Sequence, residues 1–181
     1  MPEDLFDITD EEERIAEQEA RDEMRLAAAG LHRPIRDLPT LGAAVTCAPH
    51  ATVHDAIEAM QQQRIGYVLV VEQDRVLGIF TERDVLTKVA GRDVDIDRVP
   101  VEQLMTPEPE CLGGEDELVY ALNQMSLGGY RHIPLLDDAG RPTGVVAMRH
   151  IVDYLVSLFP RNVLNLPPAP PLSIPQEREG A

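Results

Sequence analysis

The sequence predicts an α/β (α+β) fold made of two tandem β-α-β-β-α units packed sheet to sheet. Three observations carry that prediction. The chain is self-similar at a shift of about 65 residues. Each copy holds a segment whose apolar residues recur at helical spacing. Each copy then holds two short β-branched runs joined by a polar turn.

Pro34-Ile35-x-x-Leu38 matches Pro100-Val101-x-x-Leu104 and opens each copy. A short strand near Ala44–Cys47, with a counterpart near Glu110–Leu112, precedes the first helix. In that helix Val53, Ala56, Ile57 and Met60 match Leu118, Ala121, Leu122 and Met125. This is the i, i+3, i+4, i+7 pattern of one buried face. Thr52 with Asp55 reads as a capping box at its start. The run Val68-Leu69-Val70-Val71 matches Ile133-Pro134-Leu135-Leu136, and Gly78-Ile79-Phe80 matches Gly144-Val145-Val146. Polar turns join the runs within each copy, so each pair reads as a hairpin. A second helix follows each hairpin. Its expected buried stripe is Val85, Leu86 and Val89 in copy one, and Ile151, Val152, Leu155 and Val156 in copy two. Gly128-Gly129 reads as a helix C-cap and turn before Tyr130. One copy of ~60 residues cannot bury its sheet alone, which is why the two must pack face to face.

The flanks differ from this body. Residues 1–33 form an acidic arm, helix-prone but without a clean apolar stripe. The repeats are expected at 34–91 and 99–160, and the Pro-rich segment 161–181 reads as an extended tail.

The net charge of −16 argues against nucleic acid as a partner, because an acidic chain repels phosphate. Residues 1–30 hold eleven acids and three bases, so 3 − 11 = −8, half of the charge in a sixth of the chain. No apolar run approaches the ~20 residues that span a bilayer. The acidic N-terminus has no apolar signal-peptide region, so the expected address is the cytoplasm and no membrane partner is expected. The 2 cysteines, Cys47 and Cys111, make neither a disulfide framework nor a zinc site.

With these residues in place the chain resembles a tandem pair of CBS domains, a Bateman module, over residues 34–159. The resemblance rests on the repeat spacing, on Gly78-Ile79-Phe80-Thr81-Glu82-Arg83-Asp84, and on Arg131-His132-Ile133-Pro134. It implies two units related by pseudo-twofold symmetry and a non-catalytic, allosteric role. It implies an adenosyl ligand, here an adenine nucleotide (AMP, ADP or ATP), with S-adenosylmethionine and NAD as the family's other ligands. It also implies a homodimer and a separate, unidentified target protein.

The resemblance assigns one ligand site. Asp84 accepts from the two ribose hydroxyls, which suits a bidentate carboxylate. Thr81-x-x-Asp84 is equally a capping box, and the two roles are compatible. Thr81 is a second ligand contact. Arg131 and His132 reach the phosphate from the sister repeat. Val45, Thr46, Cys47 and Ala51 are expected to wall the adenine slot. Arg83 is read as a solvated residue or a dimer contact.

Copy two departs from this pattern. Ala147 stands at the Thr81 position and His150 at the Asp84 position, with Arg149 between them. Gly66 stands where copy two has Arg131. The second site is therefore expected to be degenerate, unable to hold a ribose, with one nucleotide per chain. Arg149 and His150 suit something anionic there instead.

His50 and His54 lie four apart, a metal-ligand spacing, but no third ligand falls nearby. There is no P-loop and no supported nucleophile–base grouping, so no enzyme and no metal are expected. The competing reading is an interaction scaffold with a vestigial pocket, working through the acidic arm and the Pro-rich tail.

Overall fold

A computed structural model describes residues 14–158, apart from Ala16, Glu19, Ala20, Glu23 and Ala27. The predicted Pro-rich tail lies outside the described residues. The described residues between 14 and 31 are helical, and their side chains are exposed up to Gly30, which is buried against Tyr154 and Leu158.

Two sheets follow. The first has strand order β1 (Thr46–Cys47), β2 (Tyr67–Glu72), β3 (Arg75–Thr81), β4 (Thr106–Pro107); the second has β5 (Leu112–Gly113), β6 (His132–Leu136), β7 (Pro142–Ala147). In both, a short parallel strand leads into an antiparallel hairpin. The hairpins even share a register shift, between Val70 and Val71 and between Leu135 and Leu136. The Gln73-Asp74 turn takes φ of 48° and 62°, the left-handed pair that matches strand twist in a two-residue hairpin loop.

The helices are α1 (Val53–Gln63), α2 (Glu82–Asp84, continued as a π-helical turn Val85–Val89), α3 (Leu118–Gly128) and α4 (Met148–Leu158). The predicted capping box is present on α1. The Asp55 N–H donates to Thr52 Oγ1 at 3.1 Å and the Thr52 N–H donates to Asp55 Oδ2 at 2.9 Å. Gly129 ends α3 at φ 67°, a left-handed cap that glycine adopts without strain.

The cores are built by exchange. Ile35 and Leu38, which open copy one in sequence, are buried with Leu118, Met125, Ile133 and Ile151 of copy two. Val101, which opens copy two, is buried with Val53, Met60, Val68 and Phe80 of copy one, and Leu104 and Met105 pack against that cluster. The main chain agrees. The Ile35 N–H donates to Asp116 O at 2.9 Å and the Val101 N–H donates to Ala51 O at 2.8 Å. A third cluster, Tyr67, Leu69 and Ile79 with Val145, joins the two sheets.

The predicted buried stripes need one correction each. Leu86 is 71% exposed and Val152 is 50% exposed. Ile151 and Tyr154 carry the buried face of α4 instead, and Val85 and Val89 are half-buried. The π-helical turn widens the spiral after Asp84, so the i, i+3, i+4 rule no longer places Leu86 inward.

Candidate functional site

The site begins where β3 ends. At Thr81 the chain turns from strand to helix, and Asp84 folds back onto that corner. The Thr81 N–H and hydroxyl donate to Asp84 Oδ2 at 2.9 and 2.7 Å, and the Asp84 N–H donates to Thr81 Oγ1 at 3.4 Å. The capping role of Asp84 is therefore present, on a carboxylate that is 7% exposed.

Lys88, one turn on, is the residue sequence reasoning missed. Its ammonium lies 2.8 Å from Asp84 Oδ1 and donates to Leu104 O at 2.7 Å and Met105 O at 3.3 Å. The i, i+4 spacing from Asp84 was the available signal.

A cavity of about 310 Å³ opens in front of this corner. Copy one contributes Ile79, Thr81 and Asp84; copy two contributes Tyr130, Arg131 and His132. Four of the predicted site residues, Thr81, Asp84, Arg131 and His132, thus line one space. Arg83 is exposed, as a solvated residue would be, and it also makes one fixed bond. Its Nη1 donates to Gly129 O at 2.7 Å, tying the copy-one helix start to the turn that carries Tyr130 and Arg131.

The predicted wall lies elsewhere. Val45 and Cys47 pack against the copy-one core, Thr46 is exposed, and Ala51 hydrogen-bonds through its main chain to Val101. The cavity wall is formed instead by Thr106, Glu108, Pro109 and Glu110. The leader exchange is the reason. The copy-two leader crosses to copy one, and β4 then pairs with β3 through Gly78 and Ile79. Gly78 permits the crossing, because a Cβ there would collide with Met105.

A second cleft, of about 470 Å³, is lined by Gly66 and Tyr67 of copy one and by Ala147 and Arg149 of copy two. His150 is buried and holds the cap of α4, accepting from the Ala147 N–H at Nδ1, 3.2 Å. It does there what Asp84 does in copy one, with one acceptor atom in place of a carboxylate edge.

The imidazoles of both candidate sites are uncharged at neutral pH. Burial, with the charges of Arg131 and Arg149, pushes His132 down to about 4. Burial and Arg149 likewise lower His150. His132 therefore offers a phosphate a neutral N–H, and Arg131 is the charged group beside it. The thiols are unreactive in character: burial, with Asp55 beside it, raises Cys47 to about 11, and burial with Glu110 raises Cys111. His54 bonds Asp97, Nδ1 to Oδ1 at 2.5 Å. Among the described residues no group of three or more metal-ligating side chains converges. No helix among them is long and apolar enough to cross a membrane.

Comparison with known proteins agrees with this architecture. The CBS domain family matches residues 35–91 and 101–157. A 17.7 kDa protein of the bps2 3′ region of Acidianus ambivalens is 32% identical over 111 residues, 61% of this chain and 66% of that protein. The CBS domain-containing protein CBSCBSPB3 of Arabidopsis thaliana is 30% identical over 111 residues, 61% of this chain but 20% of that protein. The chain thus spans less than two thirds of the length of these curated relatives. Among solved structures, the CBS-domain containing protein ATU1752 from Agrobacterium tumefaciens superposes with a TM-score of 0.60 at 28% identity, over 66% of this chain and 97% of that one. The CBS domain protein PAE2072 from Pyrobaculum aerophilum, complexed with AMP, gives 0.60 at 22% identity, over 68% and 98%. The CBS domain pair of protein MJ0100, in complex with 5-methylthioadenosine and S-adenosyl-L-methionine, gives 0.59 at 19% identity, over 66% and 97%. The chain belongs to the CBS-domain family, with one copy of the domain at 35–91 and a second at 101–157.

Proposed function

We propose that this chain is a non-catalytic regulatory module that binds one adenine nucleotide per chain and signals to a separate protein. The supporting observation is the shared cavity. A buried carboxylate on one repeat and a guanidinium on the other line a single space at the lower end of the usual size for small-molecule sites. In this reading Asp84 and Thr81 take the ribose hydroxyls and Arg131, with neutral His132, takes the phosphate. Ile79, Pro109 and Tyr130 supply apolar contact for the base. AMP in the PAE2072 complex and adenosyl ligands in the MJ0100 complex support this ligand class. Binding across the two repeats stabilises one relative arrangement of them, and a partner reads that shift. The exposed apolar residues Leu86, Tyr120 and Leu127 suit a homodimer contact.

A ligand-induced thermal shift tests this. Adenosine, AMP, ADP, ATP and S-adenosylmethionine are each added to the full chain and to Asp84→Ala. The reading requires at least one to raise Tm, and Asp84→Ala to erase that rise. Loss of the cap lowers the starting Tm of the variant, so the comparison is of the ligand-induced rise alone.

One observation favours the scaffold reading as an alternative. The Asp84 carboxylate is already engaged by Thr81 and Lys88. A partner pull-down that survives Asp84→Ala but fails without residues 1–30 would select it.

A further inference from the structure

The two clefts are neighbours that share one wall. Gly66, Glu82, Arg131 and His132 line both of them. Their charges differ. Around the first stand Glu82, Asp84, Glu108 and Glu110 against Arg83 and Arg131, so 2 − 4 = −2. Around the second stand Arg64, Arg131 and Arg149 against Glu82 and Asp153, so 3 − 2 = +1, in a chain of net charge −16. A phosphate chain confined to the first cleft would lie beside Glu108 and Glu110. The second cleft is where anionic charge is stabilised.

The three arginines are also uncommitted. Among the described residues, the side chains of Arg64, Arg131 and Arg149 make no ion pair and no hydrogen bond, as is also true of Arg75 and Arg92 outside the clefts, whereas Arg33, Arg36, Arg98 and Arg141 are paired. Arg64 carries a second signal. It caps α1 at φ 53°, the left-handed region, where copy two uses Gly129 at φ 67°. A non-glycine residue held there costs on the order of 1 kcal/mol or more. Copy one thus carries a guanidinium at this strained position, and Arg64 lines the second cleft. The low value of His132 fits, since Arg131 and Arg149 both act on that ring at the seam.

The geometry points to a division of labour. The degenerate second cleft binds the distal phosphates of the nucleotide whose ribose sits on Asp84, so that the ligand is a nucleoside triphosphate spanning both clefts. This rests on the nucleotide reading above and adds a specificity to it. Arg131 holds the phosphate nearest the ribose, and Arg149 and Arg64 hold those beyond. With Ala147 and His150 offering no ribose grip, the second cleft and its arginines are left for phosphate.

Isothermal titration of the full chain with adenosine, AMP, ADP and ATP tests this. ATP should bind about tenfold or more tightly than AMP, the scale of one or two added charge-assisted contacts. Arg149→Gln and Arg64→Gly should each weaken ATP about three- to tenfold and leave AMP within about twofold. Arg64→Gly places at this position the residue that already works in copy two, so it holds or raises Tm. ATP binding no tighter than AMP, or either variant weakening both ligands equally, overturns the proposal while leaving the nucleotide site intact. If Asp84→Ala leaves the binding of all four unchanged, the nucleotide reading itself fails and this one falls with it.

Discussion

Lys88 Nζ lies 2.8 Å from Asp84 Oδ1 and at the same time donates to the main-chain carbonyls of Leu104 and Met105. The ammonium joins the proposed ribose carboxylate to the segment that links the repeats. Asp84 lines the cavity and Lys88 does not.

Lys88→Met should therefore separate stability from binding. The variant strands a buried carboxylate and two carbonyls, costing about 2 kcal/mol and lowering Tm by about 4–8 °C. The nucleotide-induced rise in Tm should persist or grow, because a competitor for Oδ1 is gone. If Lys88→Met erased the rise as fully as Asp84→Ala, Lys88 would have to touch the ligand itself.

The leader exchange makes a spatial prediction. Ile35 belongs to copy one in sequence but is fully buried in the core of copy two. Ile35→Ala should cost about 2–5 kcal/mol. Hydrogen exchange should speed up first in α3 and β6, and less in α1 and β2. Faster exchange centred on α1 and β2 would contradict the packing.

Much of this was legible in the sequence, and the failures have separate physical causes. The helices and hairpins carry their own periodicity, so the repeat at Val53–Met60 and Leu118–Met125 could be read residue by residue. Asp84, Thr81, Arg131 and His132 were legible through a motif with a chemical reason behind each side chain. The cavity wall was not. Matching Pro34-Ile35 to Pro100-Val101 shows that two segments are equivalent, but not which core each one enters. The resemblance put Val45, Thr46, Cys47 and Ala51 at the ligand site, where the structure has Thr106, Glu108, Pro109 and Glu110. Leu86 was misplaced because a π-helical turn cannot be seen in a pattern read at 3.6 residues per turn.

The imidazoles set an acid limit on stability. His132 titrates at about 4 in the folded chain against 6.5 ordinarily, and His150 shifts in the same direction. The unfolded chain therefore takes up these protons first as pH falls. The stability held by the neutral rings is full above about pH 6.5, is lost progressively down to about pH 4, and levels off below that. For partly exposed His132 this amounts to about 2 kcal/mol. Asp55 and Asp137, lowered by bonds from Thr52 and from Arg141, stabilise the fold above the usual carboxylate range and lose that contribution only as pH falls through and below it, so their window lies under that of His132. Urea midpoints measured at steps from neutral pH down to about pH 4 should fall, and His132→Gln should flatten the slope. A slope unchanged in that variant would remove His132 as its source.

The exposed apolar residues bear on assembly. Tyr120 and Leu127 lie seven apart on α3, hence on one face, at 57% and 82% exposure. Their equivalents on α1 are Asp55 and Gln62, so the apolar face belongs to copy two alone. A lone apolar side chain on a surface needs no explanation, and two aligned on one face make that face the one to test for a contact. If α3 is where two chains meet, Leu127→Glu buries an unpaired charge at the contact and should weaken the dimer by tenfold or more, about 1.4 kcal/mol. Sedimentation velocity across the micromolar range reads this directly. The ligand-induced rise in Tm should survive, since α3 lies away from Asp84 in sequence and lines neither cleft. A wild-type chain that sediments as a monomer throughout, or a Leu127→Glu variant that dimerises as tightly, would show that this face serves something other than a second copy.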